Sequence, residues 1–214
     1  QALHWKTKEG LVRMCACRGT AGFAHVSCLA EQAKILFAEG EDNNLGGKVL
    51  DERWTRWYTC SLCEQYYHGI VSCALGWACW KTYVGRPETD CARRSAIGVL
   101  GNGLCDARHD EDALSVREAE LSMKRRLGAA ERDLLAAQSN IANTYQLLGR
   151  DEEALIMRRD VYAGWVKLFG EEHTSTLRGA NNYAVSLRGL GHFEEAKSLL
   201  LKVMPVARRV FGEN

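Results

Sequence analysis

Six side chains with soft metal-binding atoms occur as three close pairs in the first third of this 214-residue chain. The pairs are Cys15 and Cys17, His25 and Cys28, and Cys60 and Cys63. Zinc prefers four Cys or His ligands in a tetrahedron, and short pairs supply them without a large folded core. The pattern therefore predicts a structural zinc site. The competing interpretation is that these residues are buried or free thiols at coincidental spacings.

The spacing, together with two local sequences, resembles the variant RING finger, or RING-CH, over roughly residues 11–68. These local sequences are Cys17-Arg18-Gly19-Thr20 and His25-Val26-Ser27-Cys28-Leu29, and the aromatic lead-in Trp54-Thr55-Arg56-Trp57 before Cys60 fits as well. The resemblance implies two zinc ions in a cross-brace, in which the first and third ligand pairs hold one ion and the second and fourth pairs hold the other.

The resemblance assigns one complete zinc site to the second and fourth pairs, Cys15, Cys17, Cys60 and Cys63. It leaves His25 and Cys28 as a half-site, because no Cys-x-x-Cys precedes Cys15. The chain starts at Gln1 rather than Met, which is consistent with a missing pair upstream. An alternative zinc assignment pairs sequence neighbours and places one ion on Cys15, Cys17, His25 and Cys28.

Composition places the chain among ordinary proteins rather than nucleic-acid or membrane binders. The net charge is +1 and charged residues make up 26% of the sequence, so no basic excess points to nucleic acid. The longest apolar run, Gly69 to Trp80, is shorter than the roughly 20 residues of a membrane span. No signal peptide is visible, and the nine cysteines are expected to be reduced, which predicts an intracellular and cytoplasmic rather than nuclear protein.

The second part of the chain repeats with a period of 42 residues, as Phe169-Gly170 and Phe211-Gly212 illustrate. Each unit is predicted to form two antiparallel helices. In the clearest unit the first helix spans residues 131–148, and the second spans residues 151–169. Glycines end both helices, and acidic residues open the second at its positive dipole end.

This repeat resembles the tetratricopeptide repeat (TPR), in the form seen in kinesin-light-chain-like proteins. Residues 140–154, Asn-Ile-Ala-Asn-Thr-Tyr-Gln-Leu-Leu-Gly-Arg-Asp-Glu-Glu-Ala, are its most specific part, and the Gly-x-x-Glu-Glu-Ala turn favours TPR over HEAT or armadillo repeats. The predicted fold is mainly α: a small irregular zinc-binding finger over residues 1–68, followed by a TPR α-solenoid of antiparallel helix pairs over 69–214. The predicted units are about 86–128, 129–170 and 171–212.

The TPR resemblance also implies a binding surface. In TPR proteins the inner face of the first helices forms a groove for extended peptides, and Asn there bonds the peptide backbone. The peptide-binding candidates are Asn140, Asn143 and Asn182. The alternative is that these are surface residues with no ligand.

No nucleophile, phosphate loop or carboxylate pair stands out, so no self-contained catalytic site is predicted. Residues 98–103, with three glycines, are predicted to include a loop between helices. The four remaining cysteines are predicted to be small apolar core residues: Cys73, Cys79, Cys91 and Cys105.

Two functional classes follow. The first is a zinc-binding adaptor that binds other proteins or extended peptides through the TPR surface. The second is a RING-CH ubiquitin ligase that docks a ubiquitin-conjugating enzyme and recruits substrate through the repeats, so the enzyme status stays open. The absent first ligand pair favours the adaptor, because the docking surface of that family uses the loop which this pair anchors. No nucleic-acid partner and no membrane span are expected.

Overall fold

A computed structural model describes residues 6–13, 15, 17 and 23–212 of the chain. The described residues form one short hairpin, nine α-helices and a 3₁₀ turn: β1 (Val12–Arg13), β2 (Phe23–Ala24), α1 (Val26–Asp42), α2 (Gly47–Trp54), the 3₁₀ turn (Thr55–Trp57), α3 (Gly69–Tyr83), α4 (Cys91–Asp106), α5 (Asp110–Arg126), α6 (Glu131–Leu147), α7 (Asp151–Phe169), α8 (Thr174–Gly189) and α9 (Phe193–Phe211). The predicted mainly α fold, with a small irregular N-terminal region before the helical repeats, is confirmed.

The chain divides into two compact units, residues 1–116 and 117–214. The predicted domain boundary at residue 68 lies inside the first unit, immediately before α3. A division of the chain at that point therefore stays a prediction.

An aromatic cluster holds the first unit together. Phe37 of α1 meets Trp54 of α2 edge-on at a centroid distance of 4.9 Å. Tyr83 of α3 lies 5.8 Å from Phe37 and 5.9 Å from Trp57, also edge-on. Such contacts add to the free energy of burying the rings themselves. Helix α1, which begins directly after His25 and includes Cys28, is thereby packed against α3. The irregular N-terminal region therefore shares its core with α3.

Helices α3 and α4 approach closely because glycines lie where their backbones meet. A Cβ atom on Gly103 would lie 2.5 Å from the carbonyl oxygen of Ser72, and one on Gly76 would lie 3.0 Å from the Cα of Leu100. The predicted loop at residues 101–103 is wrong, since α4 continues to Asp106. These glycines serve close helix packing rather than chain reversal.

The second unit contains consecutive helix pairs, with glycines at the helix ends as predicted. Helix α6 spans Glu131–Leu147 and α7 spans Asp151–Phe169, within one residue of the predicted bounds. Gly149 and Gly170 adopt φ values of 71° and 81°, a left-handed region that favours glycine. Small side chains lie buried where the helices meet: Ala142, Ala154, Ala184 and Ala196.

Within the described residues, no helix is both long and apolar enough to cross a lipid bilayer.

Candidate metal centre and peptide-binding surface

A tight turn presents Cys60 and Cys63. The Cys60 N–H donates to the Gln65 carbonyl at 2.9 Å, and the Glu64 N–H donates back to the Cys60 carbonyl at 2.9 Å. Glu64 takes a left-handed φ of 57°, which reverses the chain directly after Cys63. The Leu62 N–H points at the Cys60 sulfur at 3.4 Å. The turn therefore aims a backbone donor at a sulfur, an arrangement that stabilises a thiolate.

The Cys15 and Cys17 sulfurs meet this turn from the segment that follows β1. The Cys60 sulfur lies 3.5 Å from the Cys15 sulfur and 3.7 Å from the Cys17 sulfur. With Cys63 included, all four sulfurs lie within 4.8 Å of one another. Zn–S bonds of about 2.3 Å in a tetrahedron require sulfur separations of about 3.7 Å. The separations observed for Cys60 thus match those of a tetrahedral zinc site.

The electrostatics of the four thiols also fit a cation. Burial opposes ionisation of Cys60, but the backbone N–H groups of Cys63 and Leu62, together with the Cys15 and Cys63 thiols, hold its pKa at about 7. The neighbouring thiols of Cys15 and Cys63 raise the pKa of Cys17 to about 12. Without a cation, one thiolate suppresses the ionisation of the next, because like charges repel. A divalent cation among the sulfurs would offset the repulsion between the thiolates.

His25 and Cys28 lie outside this cluster. The Cys28 sulfur is 3.8 Å from the His25 Nδ1 at the start of α1. Among the described residues, the four cysteines are the one group of three or more ligand-type side chains that converge. Cys15 and Cys17 therefore join Cys60 and Cys63 rather than the neighbouring pair, and the half-site role of His25 and Cys28 stays a prediction.

The first turn of α1 is held by a residue that the sequence analysis missed. A Glu9 carboxylate oxygen accepts hydrogen bonds from the Ser27 N–H at 2.8 Å and from the Ser27 hydroxyl at 2.9 Å. A carboxylate at a helix N-terminus satisfies a free donor and complements the helix dipole. No local sequence pattern reveals this cap, because Glu9 lies 18 residues before Ser27.

The additional cysteines differ in environment. Cys79 is fully buried, as predicted, and burial raises the pKa of its thiol. Cys73 and Cys105 are half-buried and pack against Leu100 and Leu104. The prediction of a core position is wrong for Cys91, which is exposed at the start of α4; its sulfur accepts a hydrogen bond from Arg94 at 3.2 Å.

The three predicted peptide-binding asparagines lie on the first helices of two successive units. Asn140 and Asn143 are on α6 and Asn182 is on α8. Asn143 is exposed, and the other two are half-buried. None is packed into the helix core, so the side chains remain accessible from solvent.

Arg158 is a further residue that the sequence analysis missed. It lies on α7 and is only 6% exposed. Its Nη2 donates to the Asn143 Oδ1 at 3.0 Å and to the Gln146 Oε1 at 2.7 Å. The sequence signal is a charged residue on the inward stripe of α7, between the buried Ala154 and Val161.

Comparison with known proteins supports the repeat assignment. Residues 133–209 match the family model of the tetratricopeptide repeat. Residues 133–209, within the second unit, therefore carry TPR repeats. No curated protein matches the sequence.

Several solved structures share the fold. One contains the nearly identical TPR-like repeats of a kinesin light chain candidate from Podosopora anserina, with 19% identity over 91% of this chain and 80% of that one, at a TM-score of 0.55. A point variant of that protein gives 16% identity over 88% of this chain and 89% of that chain, at a TM-score of 0.58. BtubC (BKLC) from P. vanneervenii shares 12% identity over 86% of this chain and 72% of that one, at a TM-score of 0.60. Since identity is low in each case, these similarities concern the fold.

Proposed function

We propose that this protein is a zinc-stabilised adaptor that binds other proteins, as extended segments, through the first helices of its TPR repeats. TPR repeats generally bind proteins or peptides, and residues 133–209 carry them. The observation that carries the proposal is the placement of Asn140 and Asn182. They occupy equivalent positions on α6 and α8, and both side chains stay outside the helix core.

A carboxamide suits this task because it both donates and accepts hydrogen bonds, as a peptide group does. Two such groups at equivalent positions of successive repeats can bond the main chain of one extended segment at two places. Binding through the main chain favours many partner sequences, and side-chain contacts then select among them.

The metal has a structural role in this proposal. Cys15, Cys17, Cys60 and Cys63 would hold one zinc ion, which supplies folding energy and leaves no open coordination position for catalysis. The ion would tie the turn at residues 60–65 to the segment after β1. Both elements pack against Tyr67 and Val71, next to the start of α3.

The test is capture of peptides from a displayed library of unstructured segments by the full chain. The double variant Asn140→Ala and Asn182→Ala should lose the selected binders, with an affinity drop between about fivefold and about 150-fold if one hydrogen bond of roughly 0.5–1.5 kcal/mol is lost at each position. Its melting temperature should stay close to that of the parent. The control is Ser198→Ala on the exposed surface of α9, which should bind normally. Equal binding by the double variant and the parent would remove these residues from the proposed site.

A second candidate is a RING-CH-type ubiquitin ligase. The observation that favours it is the approach of the Cys15 and Cys17 sulfurs to the turn at Cys60 and Cys63, because the RING-CH resemblance pairs the second and fourth ligand pairs in this way. Accelerated discharge of ubiquitin from a panel of conjugating enzymes, abolished by Cys60→Ser, would support the ligase. If the zinc-loaded chain did not change the rate at which conjugating enzymes discharge ubiquitin, the ligase would be excluded and the adaptor function would stand.

A further inference from the structure

A cleft in the first unit includes none of the four clustered cysteines and none of the proposed peptide-binding asparagines. Its volume is about 690 Å³, within the usual range of ligand-binding clefts. Three tyrosines and His68 line one part of the cleft, and residues of α3 and α4 line the rest. Among the lining residues that the structure describes, none is Lys or Arg. The cleft therefore combines aromatic rings with an absence of fixed positive charge.

The tyrosines of the cleft are positioned by the turn at residues 60–65. The Tyr67 N–H donates to the Tyr58 carbonyl at 2.9 Å, and Tyr66 pairs with Thr59 in an isolated antiparallel bridge. The rings of Tyr58 and Tyr66 stack with a centroid distance of 5.9 Å and an interplanar angle of 17°. Tyr66 is nevertheless 65% exposed. The exposed part of its ring can take a further planar group into the stack.

Helix α4 brings polar side chains to the cleft from a single face. Ser95, Asn102 and Asp106 all line it, and their spacing places them on the same side of a helix. All three are exposed. Gly98 lies on the same face and carries no side chain, which leaves space between them. The hydroxyl, carboxamide and carboxylate groups of this face can all accept hydrogen bonds.

Asp106 supplies the carboxylate of the cleft, and its charge is not compensated. Across the described part of the chain, its carboxylate makes neither a hydrogen bond nor an ion pair. Asp106 is also the last residue of α4, the end at which the helix dipole carries partial negative charge. A carboxylate is unfavourable at that end of a helix. A cation in the cleft would be stabilised by the carboxylate and by the dipole together.

A guanidinium ion satisfies both the aromatic and the acidic part of the cleft. It is planar and positively charged, so it stacks on a tyrosine ring, and its N–H groups match the two oxygens of a carboxylate. The ammonium group of Lys is a compact point charge that cannot stack in this way. A nucleotide base could also stack on Tyr66, but its phosphate would meet no Lys or Arg among the described lining residues.

From these features we propose that the cleft binds an arginine side chain of a partner protein. The guanidinium would stack on Tyr66 and pair with Asp106, while Ser95 would accept from a neighbouring donor. The volume of the cleft exceeds that of one side chain, so residues that flank the arginine also enter it. This site is additional to the proposed surface on the TPR repeats, and neither proposal depends on the other.

The test is an NMR titration of the ¹⁵N-labelled full chain, near neutral pH, with three blocked tripeptides in which Gly flanks Arg, citrulline or Lys. Citrulline has the shape of Arg without its charge. The Arg peptide should shift the amide signals of Tyr66 and of residues 95–106. It should bind about tenfold more tightly than the citrulline peptide, because the cation–π contact and the exposed ion pair are both lost with the charge. It should also bind more tightly than the Lys peptide.

Two variants separate the contributions of charge and stacking. Asp106→Asn should remove most of the preference for Arg over citrulline, and Tyr66→Leu should weaken the Arg peptide by about threefold. Both side chains are exposed, so both variants should keep the melting temperature of the parent. Asp42→Asn is the matched control, because Asp42 is likewise exposed and the last residue of its helix, α1, but lies outside the cleft. It should bind the Arg peptide as the parent does.

Several outcomes would overturn the arginine site. Equal binding of the Arg and citrulline peptides, or no saturable shifts with the Arg peptide, would show that the cleft does not recognise a cation. Tighter binding of the Lys peptide would refute the selection of a guanidinium. Guanosine monophosphate that shifted the same amides and bound more tightly than the Arg peptide would assign the cleft to a nucleotide instead. Library capture by the Asn140→Ala and Asn182→Ala variant tests the adaptor function separately in each case.

Discussion

The sulfurs of Cys15 and Cys60 lie 3.5 Å apart, although 45 residues of chain separate them. A zinc ion that bound both would close a long loop, and the entropy lost by the unfolded chain would add to the stability of the folded one. The same loop contains α1, α2 and three members of the aromatic cluster. The cysteine cluster holds the two ends of residues 15–60 together, and the aromatic cluster packs the helices between those ends. Both clusters therefore constrain the same segment.

Replacing Cys60 with Ser should destabilise the first unit before the second. Loss of one ligand from a structural zinc site removes part of a binding free energy on the order of 10 kcal/mol, so the N-terminal region should unfold at a lower denaturant concentration. Hydrogen exchange should show early loss of protection in α1, and metal analysis should fall from one zinc per chain towards none. Cys91 is exposed and lies outside the cysteine cluster, so the Cys91→Ser variant should keep its zinc and its stability. A parent protein that binds no zinc would contradict this prediction.

An alanine at Gly103 should destabilise the α3–α4 contact. The added Cβ would lie 2.5 Å from the Ser72 carbonyl oxygen, which belongs to a backbone that cannot yield locally. Overpacking of this kind typically costs about 1–3 kcal/mol, which denaturant unfolding resolves. Gly85→Ala is the matched control, because no atom lies within 4 Å of its added Cβ. If both variants were equally stable, the close approach of the two helices would be refuted.

Trp57→Ala should lower the free energy of unfolding by about 3–5 kcal/mol. The Trp57 side chain is only 1% exposed and forms part of the aromatic cluster. Trp77 on α3 provides the comparison, with 42% of its surface exposed. Trp77→Ala should therefore cost much less. Urea unfolding followed by circular dichroism measures both. A reversed order would show that the cluster is not the core of the first unit.

The stability of the first unit should fall between about pH 10 and pH 12. Burial raises the pKa of Tyr83 from its ordinary value of 10.0 to about 12, so folding favours the neutral phenol. That contribution is fully present below the pKa of the unfolded chain and is lost as the pH rises through the folded value. Tyr83→Phe should flatten this pH dependence by up to about 3 kcal/mol. Absorbance of tyrosinate during alkaline titration reports the ionisation, and a Tyr83 that ionises at its ordinary pKa would contradict the prediction.

Local patterns were sufficient to predict the repeats. Glycines at the helix ends, acidic first turns and the 42-residue period placed α6 and α7 within one residue of their observed bounds. Each of these features acts within one or two helical turns, so a short stretch of sequence contains the necessary information. The same reliance on local composition failed at Gly101–Gly103, where three clustered residues resembled a loop. Their role there depends on contact with α3.

The spacing of the ligand-type residues determined which cysteines were candidates, but it left two pairings open. The folded chain brings Cys60 to Cys15 and Cys17, and the geometry of the turn at residues 60–65 directs the sulfurs. The partners of Arg158 and the Glu9 cap of α1 were likewise decided only in three dimensions. The pattern that predicts a helix lies in residues a few positions apart, so the sequence shows it directly. Contacts between side chains distant in the sequence depend on how all the helices pack together.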